Sequence, residues 1–85
     1  MIMNAIIDYI FRKINEIGSV YVGDTNYCGA RHGFGKMIYI DGTIYEGDWL
    51  YGLKHGKGMF QYKDGSVYRG YFVNDLKEGE GEISF

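Results

Sequence analysis

The 85-residue sequence predicts a mainly β protein, in which an N-terminal amphipathic α-helix precedes a six-stranded, single-layer antiparallel β-meander of three hairpin repeats. Three observations predict this fold class. Apolar residues recur at helical spacing before residue 18, and short motifs recur about every 23 residues after it. The composition, with 14 Gly, no Pro and 18% aromatic residues, is typical of tight turns between aromatic strands.

Residues 1–18 form the predicted helical segment. Its apolar side chains step by four and three residues along one side, whereas polar side chains occupy the other side. Gly18 suits the position just after a helix, where a positive φ is easily adopted without a Cβ. A helix this short and rich in Ile is marginal alone, so it needs a surface to pack on. The apolar side consists of Met3, Ile7, Ile10, Ile14 and Ile17, widened by Ile6 and Phe11.

Residues 19–85 form the predicted repeat domain, in which three motifs recur in phase. They are a Gly-x-Gly motif preceded by His or Glu, an Asp-Gly pair and a Tyr-x-Gly opening. The recurrence divides the domain into units 21–44, 45–67 and 68–85, the last of them incomplete. The motifs lie at residues 32–35, 55–58 and 78–81, at residues 41–42 and 64–65, and at residues 21–23, 45–47 and 68–70.

Each unit reads as a β-hairpin. An Asp-Gly pair between alternating apolar runs is typical of a type I′ hairpin turn, which requires positive φ angles. In the simplest topology each strand pairs with the next one along the chain. The predicted strands are 20–25, 34–40, 43–50, 57–63, 66–73 and 80–85.

Side-chain alternation sorts the predicted sheet into an aromatic face with glycine gaps and a largely charged face. Glycine within a strand lets another group approach closely, so we expect the aromatic face to form a concave trough. Aromatic residues suit the anchors of protein interfaces. The predicted partner-binding residues of the trough are Tyr21, Tyr39, Tyr45, Trp49, Phe60, Tyr62, Tyr68 and Phe72.

The middle of the chain resembles a MORN (membrane occupation and recognition nexus) repeat. Residues Tyr45–Tyr68 read YEGDWLYGLKHGKGMFQYKDGSVY, with a Tyr-x-Gly-x-Trp opening, a Gly-x-Gly centre and an Asp-Gly turn. Residues 21–44 and 68–85 resemble further units, although Thr25 replaces the aromatic residue of the opening and Glu78 replaces the loop His. The first unit also has one extra residue.

The resemblance implies an elongated, twisted, single-layer β-meander. It also implies a scaffolding or targeting role, and such repeats are often attached to enzymes. A regulatory fragment of a larger enzyme is therefore one alternative. The N-terminal helix is not part of the family pattern.

The aromatic face needs a cover, because folded domains pack at least two layers around a core. The apolar side of the predicted helix is the available complement. We expect it to pack on the trough, either within one protomer or between two copies. The open edge strand 80–85 points either to a homodimer or to a fragment whose next repeat is missing. The predicted helix-packing residues are Ile7, Ile10, Phe11, Ile14 and Ile17.

Composition excludes several function classes. A net charge of −2 argues against nucleic-acid binding, and one cysteine permits no intrachain disulfide, which favours a reducing compartment and a cytoplasmic location. We expect no signal peptide, because the first residues lack a basic region and a small-residue cleavage site. The Gly-x-Gly motifs open strands and not helices, so they are not phosphate loops.

The two histidines occupy equivalent repeat positions, where turn stabilisation explains both of them better than metal binding does. We therefore predict no catalytic residue, no metal, no cofactor and no enzyme activity. The predicted function is a protein-interaction or scaffold module that binds a helix or peptide.

Membrane targeting is the alternative function, with Arg31, Lys54 and Lys57 as the candidate contacts to anionic phospholipid. Five basic and five acidic residues share the same predicted rim, which is not a polybasic surface. Protein partners are therefore favoured over lipid. The location expected from these partners is the cytoplasm, at the cytoskeleton or at the cytoplasmic face of a membrane.

Overall fold

The computed structural model describes residues 6, 7, 10 and 17–85. The described chain forms one open sheet of six antiparallel strands, each paired with the next, as the repeat predicts. The N-terminal helix falls largely outside the described residues and stays a prediction. The strands are β1 (Val20–Thr25), β2 (Arg31–Ile38), β3 (Ile44–Leu50), β4 (Leu53–Gln61), β5 (Val67–Val73) and β6 (Leu76–Ser84).

The Asp-Gly pairs lie in hairpin turns, but the predicted turn type is wrong. In the turn between β2 and β3, the Tyr39 N–H donates to the Thr43 carbonyl at 2.9 Å, which leaves a three-residue loop. Only the last loop residue, Gly42, has a positive φ, of 93°. This is the three-residue hairpin with glycine in the left-handed position, whereas a type I′ turn needs a positive φ at both central residues.

The two-residue turns lie elsewhere, between the strands where longer loops were expected. Tyr51 and Gly52 have φ angles of 49° and 85°, and Asn74 and Asp75 have φ angles of 49° and 73°. Two consecutive positive φ angles match the type I′ pattern. Strands β2, β4 and β6 consequently begin three or four residues earlier than predicted, and the Gly-x-Gly motifs lie within them.

The pairing register aligns like residues of the three units into rows across the sheet. Gly35 pairs with Gly23 on one side and with Gly47 on the other, and Gly58 continues the row to Gly70. A second row, in which four of the six residues are aromatic, runs beside the glycines. It consists of Tyr21, Met37, Tyr45, Phe60, Tyr68 and Ile83.

The core lies on this aromatic face of the sheet. Five side chains there are buried, and four further aromatic side chains pack against them. Because β1 to β5 contribute residues from recurring repeat positions, the core is itself periodic. The buried residues are Met37, Tyr45, Trp49, Tyr68 and Phe72, and the residues that pack against them are Tyr21, Tyr39, Phe60 and Tyr62.

The glycine gaps are filled, which corrects the expectation of an open trough. A Cβ atom added at Gly58 would overlap the ring of Tyr45, and one added at Gly35 would overlap the ring of Tyr21. The Tyr45 ring crosses the glycine row because its hydroxyl donates to the Asp48 carbonyl at 2.8 Å. The glycines therefore make room for tyrosines of the chain itself.

Candidate functional site

The inner part of the aromatic face is a continuous chain of five edge-to-face rings. Trp49 contacts Tyr21 and Tyr45 with centroid distances of 5.6 and 5.0 Å, and both ring pairs are nearly perpendicular. Phe72 contacts Tyr45 at 5.1 Å and Tyr68 at 5.7 Å in the same geometry. Edge-to-face packing is the favourable arrangement for aromatic pairs. Four of these predicted trough residues, all but Tyr21, are therefore core residues.

The outer part of the same face carries the accessible rings. Tyr39 and Phe60 lie 6.2 Å apart, and Phe60 and Tyr62 lie 5.0 Å apart. All three are partly buried and rest on the core. We call these three residues the aromatic strip. Together with Tyr21, it is what remains of the predicted trough as a surface that another molecule can contact.

Three cations, spaced 23 residues apart, lie over the rings of this face. The Arg31 guanidinium carbon is 4.9 Å from the Trp49 ring centroid. The Lys54 ammonium is 5.6 Å from the centroids of Tyr39, Tyr45 and Phe60. Lys77 repeats the arrangement over Tyr62 and Tyr68, at 5.0 and 4.7 Å. Such cation–π contacts are attractive, and those of Lys54 and Lys77 involve rings of the aromatic strip.

Two of these cationic residues, Arg31 and Lys54, also join one unit to the next through hydrogen bonds. The Gly52 N–H donates to the Arg31 carbonyl at 2.8 Å, and Arg31 Nη2 donates back to the Gly52 carbonyl at 2.8 Å. The Asp75 N–H donates to the Lys54 carbonyl at 3.0 Å, and the Lys54 N–H donates to Asp75 Oδ1 at 2.8 Å. The turn between β3 and β4 is therefore held against the start of β2, and the turn between β5 and β6 is held against the start of β4.

Sequence reasoning placed these cations on a loop rim and did not find their contact with the rings. The available signal was their spacing, because Arg31, Lys54 and Lys77 each stand two residues before the Gly-x-Gly motif. Residues at one position of a repeat share one environment when the units stack.

Two tyrosines of the aromatic face, the buried Tyr45 and the partly buried Tyr21, remain protonated donors. Burial, followed by the nearby Asp48 charge, raises the pKa of Tyr45 far above its usual value. Burial and then Asp24 raise the pKa of Tyr21. Desolvation disfavours the charged phenolate, so these groups act as hydrogen-bond donors and not as bases.

The predicted lipid contacts lie on two different faces. Arg31 and Lys54 are on the aromatic face, as described above, whereas Lys57 lines a groove of about 640 Å³ on the opposite face. Glu46 and Arg69 line the same groove, so its charges are mixed. Its other lining side chains include Phe34, Met59 and Tyr71.

His32 binds the backbone, whereas His55 Nδ1 is buried without a hydrogen-bond partner among the described residues, which offer no metal centre. His32 Nδ1 accepts a hydrogen bond from the Tyr51 N–H at 3.2 Å, and the two rings lie 4.9 Å apart. Among residues 6, 7, 10 and 17–85, no three His, Cys, Asp or Glu side chains are placed to hold a metal ion. The described part of the chain likewise contains no helix of the length and hydropathy that crossing a membrane requires.

Of the predicted helix-packing residues, Ile7, Ile10 and Ile17 expose 46%, 47% and 69% of their surface. Phe11 and Ile14 lie outside the described residues. Docking of the helix on the aromatic face therefore stays a prediction.

Comparison with known protein families gives one assignment. The family model described as MORN repeat matches the chain three times, at residues 27–44, 45–67 and 68–85. These matches together span well over half of the chain and confirm the resemblance noted in the sequence. No curated protein matches the chain.

Proposed function

The chain belongs to the MORN repeat family, and we propose that it is a non-catalytic protein-interaction module whose aromatic face holds an apolar helix. Repeats of this family are generally associated with protein or membrane interaction. The helix expected to occupy the face first is the chain's own segment 2–17, and the same face would take an equivalent helix of a partner.

The aromatic strip is the observation that carries this proposal. Tyr39, Phe60 and Tyr62 present a row of partly buried rings that rests on a rigid core. Rigid aromatic rings give a large apolar contact at a small entropic cost, as at interface hot spots. An amphipathic helix that lays its apolar side into such a row is a recurring mode of recognition.

The cations at the border of the strip add a polar element to this surface. Lys54 and Lys77 point their ammonium groups at the hydroxyls of Tyr39 and Tyr62 respectively. A helix with carboxylates beside its apolar side would complement these charges. Binding to anionic phospholipid would need several free cations on one surface. Because Lys57 lies on the opposite face, we favour protein binding over membrane binding.

A charge-insertion experiment tests the proposal. In the double variant Ile10→Asp/Ile14→Asp, two carboxylates would face the rings, and desolvating them costs several kcal/mol. We expect the melting temperature of the full chain to fall by roughly 10 °C or more. Circular dichroism melts measure it.

The matched control places the same charges on the polar side of the segment. The variant Arg12→Asp/Asn15→Asp should change the melting temperature by no more than about 2 °C. Equal effects of the two double variants would contradict helix docking on the aromatic face. Cosedimentation of the wild-type chain with phosphoinositide-containing liposomes, abolished by Lys57→Ala, would instead favour the membrane function.

A further inference from the structure

We propose that the groove on the charged face of the sheet binds an amphipathic helix of a partner protein, whose charged residues follow the order basic, acidic, acidic, basic along one side. This surface lies on the face opposite the aromatic strip, so the inference does not depend on the proposed function. The groove has a volume of about 640 Å³ and crosses β3, β4, β5 and β6, with Phe34 of β2 at one end.

The glycine row forms the floor of this groove, because Gly47, Gly58, Gly70 and Gly81 all line it. Side chains alternate between the two faces of a strand, so the residues before and after each glycine point to the charged face and form two walls. All four flanking pairs line the groove. They are Glu46 and Asp48 on β3, Lys57 and Met59 on β4, Arg69 and Tyr71 on β5, and Glu80 and Glu82 on β6.

The groove exposes apolar surface between its charges. The tyrosine rings fill the glycine row from the aromatic face, so backbone remains as the floor on the charged face. Phe34 and Tyr71 expose 56% and 53% of their surface, and Met59 is partly buried. Apolar surface surrounded by polar groups is typical of an interaction site. A further strand beside β6 would lengthen the groove without covering it, so the inference does not rest on where the sequence ends.

The charges along the walls follow a symmetric order. Across the strands, β3 contributes two carboxylates, β4 a lysine, β5 an arginine and β6 two carboxylates. The register preserves this order on one wall, where Met59 lies between Glu46 and Arg69, and Glu82 lies opposite Arg69. Lys36 lies opposite Glu46 but does not line the groove. Complementary charges across an interface fix partner and register, so the occupant carries the order basic, acidic, acidic, basic.

The spacing of these charges favours a helix as the occupant. Neighbouring strands lie about 4.8 Å apart, so the four charged positions span about 14 Å. A helix rises about 1.5 Å per residue, so its residues i, i+3, i+7 and i+10 lie on one side at about 0, 4.5, 10.5 and 15 Å. An extended chain places same-side residues about 6.7 Å apart, which does not match the strand spacing. A helix that lies across the strands therefore presents one charged residue to each strand.

The width of the groove determines how such a helix sits. The two walls are two residues apart along each strand, or about 6.7 Å. A helix with its side chains is wider, at about 10 Å, so it rests on both walls. Apolar side chains on its lower side then reach Phe34, Met59 and Tyr71 between the charges.

The chain's own N-terminal segment does not complement the groove. Its charged residues Asp8, Arg12, Lys13 and Glu16 repeat the order acidic, basic, basic, acidic. Laid along the whole groove in either direction, this segment would oppose like charges, which is unfavourable. The groove of a second copy, placed face to face, would oppose like charges as well. A helix of a different protein is therefore the occupant that the charges select.

Two helical peptides of identical composition test the proposal on the full-length protein. Both carry two Lys and two Glu at positions i, i+3, i+7 and i+10 of the same Ala and Leu background. One has the order Lys-Glu-Glu-Lys, and the other has the order Glu-Lys-Lys-Glu. We expect fluorescence anisotropy to show saturable binding of the first peptide, about tenfold tighter than the second. High salt should reduce the difference, because exposed ion pairs are screened.

Two charge reversals of exposed lysines supply the matched comparison. Lys57→Glu removes a cation of the groove and should abolish most of the preference between the peptides. Lys63→Glu changes the net charge equally at an exposed residue that does not line the groove, and it should keep the preference. Circular dichroism establishes that both variants fold. In the wild-type chain, nuclear Overhauser effects from the first peptide should reach the Met59 methyl group and not the Tyr39 ring, and this measurement needs no variant.

Equal affinities for the two peptides, an unchanged preference in a folded Lys57→Glu chain, or Overhauser effects at the Tyr39 ring in place of Met59 would overturn the proposal. Overhauser effects between Ile10 and Met59 in the free chain would identify the N-terminal segment as the occupant and would overturn it too.

Discussion

The second and third units share their motifs but differ in their surroundings. In the second unit, Tyr45 is fully buried, and its hydroxyl donates to the Asp48 carbonyl. In the third unit, Tyr68 is 6% exposed, and its buried hydroxyl has no hydrogen-bond partner. The strand that completes the second unit lies between two neighbours, whereas β6 has one described neighbour.

One residue accounts for part of this difference. The Asp48 carboxylate accepts a hydrogen bond from the Lys57 N–H at 3.1 Å, which closes the bulge between β3 and β4. Asp24 does the same for the Phe34 N–H in the first unit, at 3.3 Å. The third unit has Tyr71 at this position and cannot make the bond. A repeat unit is therefore stabilised by its neighbours and by its bulge residue, as expected when units contact only adjacent ones.

Glycine substitutions should give the largest difference in stability loss between the second and the third unit. A Cβ atom at Gly47 would lie 2.5 Å from the Gly58 Cα and from the Lys57 carbonyl oxygen, which are backbone atoms held by strands on both sides. We expect Gly47→Ala to lower the free energy of unfolding by about 3 kcal/mol. The three atoms nearest to a Cβ at Gly81 all belong to the Tyr68 side chain, which can shift more easily than backbone, so we expect Gly81→Ala to cost about 1 kcal/mol. Urea denaturation measures both, and equal losses would show that the edge is as rigid as the centre.

Removal of the tyrosine hydroxyls tests the difference in hydrogen bonding. Tyr45→Phe removes a buried bond to the Asp48 carbonyl and should lower the free energy of unfolding by about 1.5 kcal/mol. Tyr68→Phe removes a buried hydroxyl that has no partner, so the change should be neutral or slightly stabilising. The same denaturation series compares the two variants. A larger loss for Tyr68→Phe would mean that the third unit is as completely bonded as the second.

Alkaline pH should lower the stability that depends on the buried Tyr45, and this effect should be smaller than those of the substitutions above. Burial raises the pKa of Tyr45, so above pH 10 the unfolded chain loses a proton that the folded chain retains. Stability from this group is complete below pH 10 and declines as the pH rises toward the folded pKa. The slope is at most about 1.4 kcal/mol for each pH unit. Tyr45→Phe should therefore show a shallower decline between pH 10 and 11 than the wild-type chain, and parallel declines would argue against the shifted pKa.

Much of the fold could be predicted from local signals. The six strands follow from side-chain alternation, and their antiparallel order follows from short connections. The position of the turn at Asp41-Gly42 was predicted correctly, but its type was predicted wrongly. An Asp-Gly pair is compatible with both a two-residue and a three-residue hairpin loop. The shorter turn at Tyr51-Gly52 lacked a strong signal, since Tyr rarely adopts a positive φ.

The surface of the candidate site was less predictable. Tyr39, Phe60 and Tyr62 were correctly assigned to the aromatic face, but the sequence does not distinguish them from Trp49 and Phe72, which are buried. Burial depends on which rings cross the glycine row and interlock with rings of the next unit. Those contacts join residues that lie roughly one repeat apart in the sequence, so no local pattern predicts how deeply each ring is buried.

By itself, the sequence determined the repeat, the strand order and the division of the sheet into an aromatic and a charged face, because these depend on alternation and spacing along the chain. Tertiary structure alone decided that tyrosine rings fill the glycine gaps and that Arg31, Lys54 and Lys77 lie over rings of the aromatic face. The physical reason is that a side chain's final contacts are made with neighbouring strands, and only the register between the strands brings those neighbours into place.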